Sequence, residues 1–556
     1  MISSPAGEPS RTGRSIMHPS TSRASRALRL ALSGALVLSA SAAGPQILQG
    51  AVKPIIIDDG GGGPGPDPRA TTGEWVTLPY LLQEPNGTAF SAAHSAMLHT
   101  GRVLFIPEAD TVKTLLWDPT DEVTPRFSFP DNFASDYLFC SGHTFLQSGE
   151  LLVVGGGGNF VSNAINRAWR FDPDAGTNGR WTRTLGDMAQ QRWYPTAVTL
   201  GEPGFVLVAS GVYGSVQYAD QLEVYNEATD AFTIVAGGQR ILPETYPGLH
   251  LLPTGKLFYT LTGFGHFTYE NSTTAAYFTF DNLENPFSGQ WTTMTSPLNY
   301  PDRTEGMSVQ VLTPAAIPEE YTARVIVFGG GSPNTAGRQK VEAIDTASLT
   351  PSTPWTLLPN MAVPRFHAST VLLPDGNVLV FGGDEHGNNG TTGTKITELF
   401  NPTANAFTRA DDLQYSRGYH TVTVLLPSGK VMVSGGISGA NERTIEIFNP
   451  PYLFKGARPT ITSVPSFFHH SQSFNITTPD ASYIRKVVLV RPMAYTHHTE
   501  TEQRVLQLPF TQVDAQTLAV TAPGNHPHPQ APRGYYILFI LNGSGVPSQG
   551  RFVYLH

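Results

Sequence analysis

With a single cysteine, Cys140, the 556-residue chain can close no intramolecular disulfide, so no cystine framework holds it together. Charge is scarce as well: Asp, Glu, Lys and Arg make up 14% of the sequence, where soluble domains usually carry roughly 25%. Positive charge is not in excess, and the formal net charge of -9 argues against nucleic acid as a main partner. Beyond the N-terminal region no run approaches the ~20 apolar residues that a membrane-spanning helix needs. The lone thiol therefore points to an intermolecular pairing, a reactive site or another covalent fate, against the plainer reading of a small buried hydrophobe.

Glycine and proline are abundant instead, at 55 and 45 residues, and mark many turns between short strands. Arg23, Arg26 and Arg29 precede the apolar run Leu30 to Leu38, and Ala40-Ser41-Ala42 follows as a small-x-small cleavage site. Residues 1–42 read as a secretory signal peptide, with Met17 as an alternative start and an uncleaved anchor as the alternative fate. Residues 43–72, which include Gly60 to Pro68, read as a flexible Gly/Pro-rich linker. The expected location is extracellular or at the cell surface.

From Trp75 onward a unit of about 50 residues repeats, the period of kelch-type propellers. Its first strands begin near His94, His143, Tyr194, Tyr246, Met307, His367 and His420. Most units then turn through a glycine pair such as Thr100-Gly101 or Ser428-Gly429, and several second strands end in Gly-Gly, as at Gly329-Gly330, Gly382-Gly383 and Gly435-Gly436. The prediction is an all-β chain: a seven-bladed β-propeller over residues 73–454, its last blade completed by the strand around Trp75, then an immunoglobulin-like β-sandwich over 455–556.

Equivalent positions of successive blades lie side by side around a propeller's axis. Tyr194 and His420 then face each other from the third and seventh units, with Cys140 close to Tyr194. His94, His143 and His367 share the frame of His420 and are expected to be structural. Tyr419 and His420 are consecutive, and on a regular strand they would point to opposite faces, so a shared site requires an irregular backbone there.

Phe139-Cys140-Ser141-Gly142, Arg192-Trp193-Tyr194-Pro195-Thr196, Arg417-Gly418-Tyr419-His420, and Tyr495-Thr496-His497-His498 leading into Gln503-Arg504 follow one another in order. Together they resemble the galactose oxidase and glyoxal oxidase family of copper-radical oxidases, from about Trp75 to the C-terminus. The resemblance implies one copper ion held by Tyr194, Tyr419, His420 and His497, with Tyr194 joined to Cys140 by a thioether that stores a radical. His497 is preferred to His498 because it stands six residues before Gln503, the family spacing. It also implies that Tyr419 is the general base, that Tyr194 abstracts a carbon-bound hydrogen, and that O2 is reduced to H2O2. Imidazole and phenolate donors with an open position suit Cu(II).

Where galactose oxidases carry a tryptophan over the cross-linked tyrosine, Tyr213 is the nearest match, and this departure favours small aldehydes or simple primary alcohols over galactose. Arg303 is a candidate for binding a substrate hydroxyl or carboxylate. The expected partners are a small-molecule or carbohydrate substrate and O2, and the protein is expected to be a monomer. Two other functions compete. A non-catalytic secreted propeller that binds glycans or proteins has no need of Cys140, Tyr194 and His497 together. A propeller hydrolase needs carboxylates, for which only Asp136 and Glu305 stand nearby.

Overall fold

Among the described residues, alternating apolar residues bounded by Gly, Pro and Asn turns form short, almost wholly antiparallel strands, and helix is confined to single turns such as Arg69–Thr72. The computed structural model describes residues 67–108, 111–201, 203–265, 274–300, 302–317, 319–331, 338–385, 393–436, 442–525 and 530–556. The expected signal segment, and the linker before residue 67, lie outside the described residues.

Among the described residues seven antiparallel sheets follow one another along the chain. Their innermost strands are Ala92–Met97, Gly142–Phe145, Thr196–Gly201, Leu249–Leu251, Met307–Pro314, Ser369–Leu372 and Thr421–Leu425. The last sheet takes its outer strand from the other end of the chain: Glu74–Leu81 pairs with Thr444–Asn449, Trp75 opposite Phe448. Thr421–Leu425 packs beside both Ser369–Leu372 and Ala92–Met97, so the last sheet touches the first.

Four of these sheets share a buried clamp. Arg192, Arg303, Arg365 and Arg417 stand before an inner strand and pair with Glu223, Glu342, Glu398 and Glu446 on the third strand of the same sheet. Each guanidinium also donates to the carbonyl that ends the second strand: Ser210, Gly329, Gly382 and Gly435, at 2.6 to 2.9 Å. All four arginines are buried, and a buried charge is tolerable only because every clamp is both paired and hydrogen-bonded. The Gly-Gly signal has the same origin. A Cβ on Gly329, at φ 62°, would lie 2.5 Å from the Arg365 carbonyl, which only glycine permits.

After Phe454 a five-stranded sheet centred on Gly534–Asn542 and a three-stranded sheet centred on Thr517–Thr521 share one apolar core that includes Phe468, Ile476, Leu489, Leu518 and Leu538. One hairpin of this segment, Ala494–Thr496 with Thr499–Glu500, joins the first sheet instead, with Ala494–Thr496 pairing along Ala92–Met97. Its stem is stitched to other inner strands. Thr501 donates to the His143 carbonyl at 2.9 Å, Gln503 brackets the 308–310 backbone at 2.9 and 2.7 Å, and Glu502 accepts from the Phe145 N–H and from Arg491 at 2.7 Å. The hairpin tip is His497-His498.

Candidate metal centre

Six non-glycine residues just ahead of inner strands adopt a left-handed backbone: Cys140, Tyr194, Tyr246, Glu305, His367 and His420, with φ from 47° to 66°. An L-residue there costs roughly 1–2 kcal/mol. Backbone hydrogen bonds link them: Tyr194 donates to the Cys140 carbonyl at 2.8 Å, Tyr246 to Tyr194 at 2.8 Å, and His367 to Glu305 at 3.0 Å. The turn at φ 66° supplies the irregularity that the Tyr419-His420 pair required, and the two rings lie 3.7 Å apart. It also corrects the frame read from the sequence, since Cys140 rather than His143 occupies the position of His420.

His497, at φ 46°, comes from the hairpin tip into the same place, its ring 4.4 Å from His420, 4.7 Å from Tyr194 and 5.3 Å from Tyr419. The Tyr194 and Tyr419 hydroxyls are hydrogen-bonded to each other. His420 turns Nδ1 to the Glu108 carboxylate at 2.6 Å. His497 turns Nδ1 to the Thr496 hydroxyl at 2.5 Å, and that hydroxyl spends its proton on the Ala93 carbonyl at 2.9 Å. Nδ1 must therefore carry a proton on both rings, and among the described residues neither buried Nε2 atom has a partner.

Burial pushes both phenols well above their usual pKa, with the neighbouring Cys140 thiol adding to the effect. Burial, followed by His420 and other nearby imidazoles, holds His497 well below the usual value. A neutral His497 and two neutral phenols thus share a pocket with His420 and with unpaired Nε2 atoms, an arrangement that a cation relieves by stabilising phenolate and accepting both nitrogens. Among the described residues no three His, Cys, Asp or Glu side chains are gathered as for a metal, so half of this donor set is tyrosine. The donors fit copper.

Comparison with known proteins agrees. Residues 130–453, more than half of the chain, match the family model of the glyoxal oxidase N-terminus, and residues 458–555 match the galactose oxidase-like early set domain. The chain belongs to the glyoxal oxidase and galactose oxidase family. It is therefore a member of a family of copper-radical oxidases. It is 26% identical to the aldehyde oxidase GLOX of Vitis pseudoreticulata over 79% of this chain and 88% of that one. It is 24% identical to the galactose oxidase of Gibberella zeae over 78% of this chain and 63% of that one. A fungal alcohol oxidase of the AA5 family, solved in complex with copper, shares the fold, with a TM-score of 0.69, 22% identity, and coverage of 87% of this chain and 99% of that chain.

Two expectations for this oxidase are corrected. The ring over Tyr194 is not Tyr213 but Trp193, parallel within 12° at 3.8 Å, because the left-handed turn at Tyr194 folds its side chain back on its neighbour. Tyr213 is partly buried at the edge of the same aromatic cluster. Arg303 is 1% exposed and its donors are taken by Glu342 and the carbonyls of Gly329 and Lys340, so it is a clamp and not a substrate ligand.

The hydrolase carboxylates are also engaged, Asp136 by Arg167 and Trp169, and Glu305 by His367. His498 turns toward His367, Nδ1 to Nδ1 at 3.3 Å. His94 is structural as expected, since its Nε2 accepts the Cys140 N–H at 3.2 Å. Sequence reasoning missed Glu108, Thr496, Trp193 and Tyr246, whose hydroxyl donates to the Ser141 carbonyl at 2.8 Å. Trp193 and Thr496 were legible in principle, as each adjoins a predicted ligand.

Proposed function

We propose that the chain is a secreted oxidase of small aldehydes or simple primary alcohols. It carries one copper ion and a Cys140–Tyr194 thioether radical on a seven-bladed kelch propeller with an immunoglobulin-like closing domain. The observation that carries this reading is the pair of buried imidazoles whose Nδ1 protons are committed and whose Nε2 atoms are orphaned beside two paired phenols. Tyr194, Tyr419, His420 and His497 would hold copper, which supplies a one-electron acceptor and a positive charge that favours phenolate. Removal of hydride from a C–H bond needs two electrons, so a side chain must accept the second.

Tyr419, the more exposed of the two phenols, takes the substrate hydroxyl proton as general base. The oxidised Tyr194 accepts the carbon-bound hydrogen, and Trp193 covers its ring. Two electrons and two protons then pass to O2, so an alcohol gives an aldehyde and H2O2, and an aldehyde hydrate gives a carboxylic acid and H2O2. The thioether joins the Cys140 sulfur to a Tyr194 ring carbon, with the two displaced hydrogens and their electrons passing to O2. Support for it is the close approach of the two residues, which share a backbone hydrogen bond and one buried cluster.

Peptide mass spectrometry of copper-loaded, aerobically treated protein tests this reading. The expected result is a Cys140–Tyr194 peptide pair lighter by two hydrogens, absent in Cys140→Ser. Unlinked peptides after verified loading would overturn it in favour of a non-catalytic binding propeller.

A further inference from the structure

The two imidazoles of the centre are not equivalent. His420 donates Nδ1–H to a carboxylate, Glu108, whereas His497 donates to a neutral hydroxyl whose own proton is already committed. Glu108 is well placed for a fixed role. It directly follows the second strand of the first sheet, Val103–Pro107, and its N–H is tied to the Ser91 carbonyl at 2.9 Å. One carboxylate oxygen lies 2.6 Å from His420, and the other is buried with no partner among the described residues, which offer the group no competing ion pair.

A carboxylate behind a ligating histidine fixes its tautomer and makes the opposite nitrogen a stronger donor. Resting on the copper reading above, we infer that Glu108 is a positioning residue that makes His420 the stronger nitrogen donor and so favours Cu(II) over Cu(I). Thr496 fixes the tautomer of His497 but adds no negative charge. The site thus joins one strong and one ordinary imidazole, and the oxidation state that depends more on donor strength gains more from Glu108.

The test is competition titration of metal-free protein with separate Cu(II) and Cu(I) chelators, comparing wild type with Glu108→Gln. The variant keeps an acceptor oxygen but loses the charge. Cu(II) affinity should fall about 10- to 100-fold, Cu(I) affinity should fall less, and the melting temperature of the metal-free protein should stay unchanged. Unchanged Cu(II) affinity, or an equal loss of both affinities, would overturn the inference while leaving the copper reading intact. Wild type that binds neither ion would instead overturn the copper reading itself. A lowered melting temperature accompanying the loss would also count against the inference, because it assigns Glu108 to the fold.

Discussion

Arg365-Phe366-His367 and Arg417-Gly418-Tyr419-His420 look like copies of one another, and the backbone treats them alike. Each arginine clamps a glutamate on its own sheet, and each histidine sits in the left-handed region, at 51° and 66°. Their chemistry nevertheless differs. His420 meets Glu108 through Nδ1 and presents an orphaned Nε2 beside two phenols. His367 meets Glu305 through Nε2 and His498 through Nδ1, with Phe366 where the other stretch has a phenol. The clamp fixes where a side chain is delivered, and what arrives from other sheets decides what it does there.

The sharpest way to break the likeness is to remove the clamps one at a time. Arg365→Met and Arg417→Met each leave a buried glutamate unpaired, and each should lose about 3–5 kcal/mol in denaturant unfolding. Copper affinity separates them. It should survive in Arg365→Met, and it should fall in Arg417→Met, whose arginine anchors the turn that carries Tyr419 and His420. Arg365→Met combined with Glu398→Leu should recover most of the lost stability, since an apolar pair replaces the charge without orphaning its partner. Equal copper affinity in the two single variants would show that the clamp does not position the centre.

The clamp itself was legible only in hindsight. Glycine turn pairs and Gly-Gly strand ends mark the repeat, because strand ends and hairpins obey local rules. An arginine two residues ahead of Tyr194, Glu305 and His367 is an equally regular mark. Its meaning is not local, because its glutamate lies 31 to 39 residues away and nothing nearby in the chain demands the pairing. The same limit explains Arg303, read as a substrate ligand when it is the second of the four clamps. The four candidate copper ligands were nameable from their motifs. Glu108 was not, since it meets His420 across 312 residues. Trp193 lies over Tyr194 because the backbone leaves strand geometry there, at φ 64°, so that adjacent side chains no longer diverge.

The second comparison is within the hairpin tip. His497 and His498 are neighbours with similar backbone, at φ 46° and 58°, yet one joins the phenols and the other joins His367. His497→Ala should weaken copper binding by more than about 100-fold, beyond the range for an outer-shell partner. His498→Ala should change it by less than that range, about threefold. Chelator competition on metal-free protein reads both, and a reversal would move the centre to the His367 side.

The smallest effect separates the two sides by pH. Burial, followed by the nearby carboxyls of Asp384 and Asp302, pushes Glu305 well above the ordinary glutamate value of 4.5. The imidazole of His367 would by itself favour the charged form, but with the Glu305 side chain only 5% exposed the burial penalty wins. A carboxyl whose folded pKa is raised binds more protons folded than unfolded, so its stabilising contribution is complete below about pH 4.5 and is lost as pH rises through the folded value. Glu305→Gln is neutral at every pH. Its melting temperature should match wild type near pH 4.5 and fall less steeply toward pH 8, with copper absent throughout. If wild type and variant decline in parallel, Glu305 is ionised in the folded protein, and the His367 side is a charged pair instead of the neutral counterpart of the copper side.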